Sequence, residues 1–160
     1  MRLLLCVLFC IVVVHAQLIQ FQQPSAGKPL ANGDTVLLSW TVVGQHAVNP
    51  PLTDHNYPSS LTLFYSWTKN SDPSSTIQIQ ASSGLSARPS ANPANNMTHT
   101  STWKLPNCRL FYRYPPDQYT FSFIAQPVYP STRSNTTSPS VEPIQIKLFM
   151  QNNIAAFPKC

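Results

Sequence analysis

Asp34-Thr35-Val36-Leu37-Leu38-Ser39-Trp40-Thr41-Val42-Val43 is the stretch on which the fold turns. Val36, Leu38, Trp40 and Val42 fall on one side of an extended chain, with Ser39 and Thr41 on the other. A period of two belongs to a strand with one buried and one wetter face, and a helix does not produce it. The alternation recurs in both directions from this stretch. Leu61, Leu63, Tyr65 and Trp67 alternate with Thr62, Ser66 and Thr68, and Ile77 and Ile79 with Gln78 and Gln80. Tyr119, Phe121 and Phe123 alternate with Thr120 and Ser122, and Ile144, Ile146 and Leu148 with Gln145 and Lys147. Shorter strands are expected over Leu18–Gln22 and over Thr98–Leu105 around Trp103.

Turn-rich connections separate these segments: Pro24–Gly33, Gly44–Ser60, Lys69–Ser75, Ser82–Asn96, Pro106–Asp117 and Pro127–Pro139. The 16 prolines confine the strands, because a proline donates nothing to a central ladder. About seven short strands in one domain predict an all-β fold, an immunoglobulin- or fibronectin-III-like antiparallel β-sandwich, with a closed barrel as the rival. Trp40, Trp67 and Trp103 are expected to fill the space between the sheets. Gly27 and Gly33 suit turns that need positive φ. Tyr119, just after Pro115-Pro116-Asp117-Gln118, is placed for a tyrosine-corner hydrogen bond. The connections over residues 44–60 and 82–96 are long for hairpins, and long loops at the end of a rigid scaffold are where binding resides.

The first sixteen residues read as a secretory signal peptide. Met1-Arg2 is a positive start, Leu3–Val14 an apolar run, and Val14-His15-Ala16 a small-residue site for cleavage ahead of Gln17. Residues 17–160 then form a single secreted domain without a transmembrane segment. Cys6 and Cys10 leave with the leader, so Cys108 and Cys160 are expected to pair in an oxidising compartment. Chain-entropy accounting gives such a loop closure roughly 4 kcal/mol. Asn96-Met97-Thr98 and Asn135-Thr136-Thr137 are N-glycosylation sequons in loop-like surroundings. The formal net charge of +5 is spread along the chain and forms no nucleic-acid patch.

Pro24-Ser25-Ala26-Gly27-Lys28-Pro29 followed by Asn32-Gly33-Asp34-Thr35-Val36-Leu37-Leu38-Ser39-Trp40 resembles the opening of a fungal extracellular domain. That domain heads the Ser/Thr-rich, often GPI-anchored fungal surface proteins and occurs in yeast proteins of cell-wall β-1,6-glucan assembly. Ser101-Thr102-Trp103-Lys104-Leu105-Pro106 looks like its Trp-x-x-Pro strand end. Tyr119–Phe123 and Ser138–Leu148 look like its later strands, so the resemblance spans about residues 18–149. It implies a β-sandwich at the cell surface that associates with the wall. The chain ends Ala155-Ala156-Phe157-Pro158-Lys159-Cys160, without the hydrophobic stretch of a GPI signal, and a freestanding soluble form is expected.

Catalysis finds little support. The five acids (Asp34, Asp54, Asp72, Asp117 and Glu142) stand in five separate segments, and Asp34 and Asp117 flank strand starts where Asp serves turns. No G-x-S-x-G is present. The reading is therefore of a non-enzyme without cofactor or bound metal. A small copper-binding protein is a remote alternative, requiring an N-terminal His15 completed by His46, His55 or His99. The strongest binding candidate is Asn107–Pro116, where arginines and aromatics interleave. Arg109, Tyr112, Arg113 and Tyr114 can stack on sugar rings or hold an acidic glycan. The expected partner is cell-wall polysaccharide or an extracellular protein. The alternative function is a secreted effector or adhesin acting on a host or neighbouring protein.

Overall fold

The computed structural model describes residues 18–44, 58–92, 95–130 and 141–151. Their strands are β1 (Ile19–Gln23), β2 (Pro29–Leu30), β3 (Thr35–Val42), β4 (Ser60–Lys69), β5 (Asp72–Ser86), β6 (Met97–Lys104), β7 (Tyr119–Val128) and β8 (Ile144–Met150). One short helix, α1 (Cys108–Arg113), lies between β6 and β7. The protein is all-β, in two sheets: one ordered β1-β3-β6, the other β2-β8-β7-β4-β5. Every pairing is antiparallel except that of β2 with β8. Among the described residues no helix is long and apolar enough to cross a membrane.

The alternating residues of β3, β4 and β7 build the core. Val36, Leu38, Trp40 and Val42 are buried, as are Leu61, Leu63, Tyr65 and Trp67, and Phe121, Phe123 and Ala125. Side chains of the two sheets meet directly. The Tyr65 ring lies 5.0 Å from that of Trp103, which packs edge-on against Phe123 at 5.4 Å. Trp40 Nε1 donates to the Ser86 carbonyl on β5 at 2.9 Å, so the indole buries its ring without losing its hydrogen bond. Tyr65 Oη and Trp67 Nε1 are buried without a hydrogen-bond partner among the described residues. Burial pushes the Tyr65 hydroxyl well above the ordinary phenol range.

The second face of β3 is drier than alternation implies, for Ser39 and Thr41 are buried as well. β3 is the middle strand of its sheet, and its neighbours close over it. Gln22 Nε2 donates to Thr41 Oγ1 at 2.8 Å, and the hydroxyls of Thr41 and Thr98 lie 3.0 Å apart. Ile77 and Ile79, expected on a buried face, are 38% and 41% exposed. β5 is the outermost strand of the five-stranded sheet, with a strand neighbour on one side only among the described residues.

Three connections also differ from expectation. The 24–33 segment contains β2, a two-residue strand that period counting cannot detect. β5 runs on to Ser86 through register shifts against β4, taking up the start of the expected 82–96 loop. The 106–117 connection contains α1. Gly27 and Gly33 do adopt positive φ, 81° and 76°, in turns that side chains disfavour. Among the described residues Tyr119 makes no corner hydrogen bond through its hydroxyl. Its backbone N–H donates to the Pro115 carbonyl at 3.1 Å, and its ring packs edge-on against Tyr114.

Candidate functional site

α1 begins where Asn107 caps it: the Asn107 Oδ1 accepts from the Arg109 N–H at 3.1 Å. It ends as the Tyr114 N–H donates to the Leu110 carbonyl at 2.8 Å, with Pro115-Pro116 preventing continuation. Cys108 and Phe111, three residues apart, turn inward, and Phe111 packs on Phe121 at 5.3 Å between ring centroids. Burying Phe111 fixes the rotation of the helix. Arg109, Tyr112 and Arg113, at i, i+3 and i+4, are thereby left on the exposed side.

The four candidate residues are thus brought together. Tyr112 is 82% exposed, the most exposed large hydrophobic side chain described. The Arg113 guanidinium sits 5.5 Å from the centroid of the Tyr114 ring. Tyr114 is half-buried, held by Trp67 at 5.2 Å and by Tyr119 at 5.3 Å. Among the described residues no carboxylate engages Arg109 or Arg113. The result is a small surface of one braced ring, one exposed ring and two planar cations. Such a surface can stack on a sugar face while bonding its hydroxyls or carboxylates.

The remaining candidates fall elsewhere. Asn96 is exposed just before β6, its Oδ1 accepting from the Gly44 N–H at 3.1 Å. Cys108 is buried at the start of α1, whereas Cys160 and Asn135 lie outside the described residues. So do residues 1–17, most of the 44–60 loop, Asp54, His15, His46 and His55. His99 Nε2 bonds the Arg88 carbonyl at 2.9 Å and its ring stacks on Trp40, which makes it part of the packing. Asp34 serves the turn ahead of β3, its Oδ2 accepting from the Ala31 N–H at 2.7 Å. Asp72 does the same for β5: it accepts from the Ser74 hydroxyl at 2.6 Å, and that bond holds its carboxyl below the usual range. Among the described residues no three His, Cys, Asp or Glu side chains cluster for a metal.

Sequence reading missed that the arginine- and aromatic-bearing connection is a helix. The signal was present: Asn at the cap, Arg-Leu-Phe-Tyr-Arg with its polar residues at i, i+3 and i+4, then Pro-Pro. Compared with known proteins, the chain matches no family model and no curated protein at a significant level.

Proposed function

We propose that this protein is a non-enzymatic, secreted extracellular domain that associates with the cell wall and binds its polysaccharide through Arg109, Tyr112, Arg113 and Tyr114. The observation that carries this reading is the exposed side of α1, where two arginines without carboxylate partners among the described residues flank an exposed tyrosine beside a ring braced by Trp67. The resemblance to the fungal wall-protein domain supports the setting. The finer fold reading is an immunoglobulin-like β-sandwich over residues 17–160. Its support is the strand order, in which the first extended segment is shared between sheets, as β1 on β3 and β2 on β8. The leader, the Cys108–Cys160 pairing and sugar at Asn96 and Asn135 belong to the same proposal.

Pull-down of the purified protein on insoluble β-glucan and chitin tests it. Retention is expected, and replacing Arg109 and Arg113 together by Ala should weaken it about tenfold, equivalent to about 1.4 kcal/mol. The thermal midpoint should hardly move, because both side chains are exposed. No retention of the native protein, or retention unchanged in the double variant, overturns the assignment.

A further inference from the structure

β8 has an open flank. β2 pairs with it only at Phe149 and Met150, so among the described residues Ile144–Leu148 is bordered by β7 on one side and by no strand on the other. The cause is the path of the chain. β1 hydrogen-bonds to β3 in the first sheet, and the chain then crosses to the second sheet in time to supply only Pro29 and Leu30. The length of β8 upstream of that contact is left without a second strand neighbour among the described residues. A groove of about 440 Å³ lies along it, walled by Phe21 and Gln22 of β1, by Pro24–Ala26 and by residues 144–147 of β8.

Backbone direction can be read along this edge. The Gln151 N–H donates to the Leu30 carbonyl at 2.8 Å, so Gln151 points its backbone toward the β2 side. The register of β8 against β7 is regular, and alternate residues of a strand point the same way. Gln145 and Lys147 therefore aim their N–H and C=O groups into the open flank, while Ile144 and Ile146 bond toward β7. The side chains of Ile144 and Ile146 pack against the core yet stay only partly buried, and both line the groove.

We infer that this groove is a strand-addition site: it takes an extended peptide segment of another protein, apolar at alternate positions and acidic at those between. A row of backbone donors and acceptors beside two half-covered isoleucines is complementary to a strand and to no other regular element. Alternate apolar side chains of the segment enter beside Ile144, Ile146 and Phe21. Its intervening residues face outward with Lys147, an exposed cation, and an acidic residue there forms a favourable cross-strand pair. The excess of Lys and Arg over Asp and Glu, 10 to 5 and still positive without Arg2, favours an acidic partner over a second copy of the chain. The site is independent of the helix surface proposed above.

The test uses the whole protein and a displayed library of decapeptides with apolar residues fixed at alternate positions. The native protein should enrich peptides carrying Asp or Glu between the apolar positions, and Lys147→Pro should bind them at least about tenfold more weakly. Proline is tolerated where a strand N–H faces outward, so the variant is expected to fold. The native protein gives a second readout that needs no variant. N-methylation along one edge of an enriched peptide should abolish binding, and along the other should leave it intact. The Gln145 and Lys147 amides should exchange rapidly in the free protein and at least about tenfold more slowly with peptide bound. Enrichment of no peptide on the native protein above Lys147→Pro overturns the inference, as does equal binding of both methylated series. Protection of these two amides in the free protein also overturns it: independent of protein concentration it means the chain covers its own edge, and rising with concentration it means a second copy does.

Discussion

β4 and β5 are hydrogen-bonded neighbours with the same alternating signature, yet they end in different environments. On β4, Leu61, Leu63, Tyr65 and Trp67 are all buried. On β5, Ile77 and Ile79 lie directly across from Trp67 and Tyr65 and remain about two-fifths exposed. β4 is flanked on both sides, by β7 and β5, whereas among the described residues β5 is flanked on one. Alternation therefore specifies that a segment is a strand and which way each side chain points. It does not specify how many neighbours the strand will have.

Truncation should separate the two strands most strongly. Leu63→Ala in the middle of β4 is expected to cost about 2–5 kcal/mol, transfer and cavity terms together. Ile79→Ala should cost under about 1 kcal/mol, because its site is already open to water. Urea denaturation of both variants measures the contrast, and equal losses would mean that β5 is covered. A finer probe is Tyr65→Phe, which removes a buried hydroxyl without a described partner while keeping the ring contacts to Trp103 and Phe123. Leaving a buried polar group unpaired costs about 1–3 kcal/mol, so this variant should be as stable as the native protein or more so. A clear loss would mean that the hydroxyl is bonded after all. The smallest effect belongs to the exposed turn that starts β5. The Asp72 carboxyl is depressed first by the Ser74 hydroxyl, with Lys69 adding a weaker attraction. A depressed folded-state carboxyl adds stability that is present above its unfolded pKa and lost as pH falls through the folded value. Asp72→Asn should thus differ slightly from the native protein near neutral pH and converge with it in acid, and carbon-detected NMR titration of Asp72 should show the lowered midpoint.

The helix was legible in part. Asn107 and Pro115-Pro116 mark both its ends, but Arg109–Arg113 is too short for a 3.6 period to stand out from an alternating background. That the four candidate residues form one surface depended on Phe111 entering the core beside Phe121. The β8 groove could not be read at all. Ile144 and Ile146 show the pattern of ordinary core residues, and the short reach of β2 leaves their flank without a second strand among the described residues.

Side-chain periodicity and the turn residues by themselves determined that the chain is extended, where its main strands lie, and which residues share a face of each strand, because the period of two is a local property of the backbone. Strand order, the burial of Ser39 and Thr41, the exposure of Ile77 and Ile79, and the open edge of β8 were decided only by tertiary structure. Each depends on which segments lie side by side, and that choice is made by packing between residues far apart in the chain.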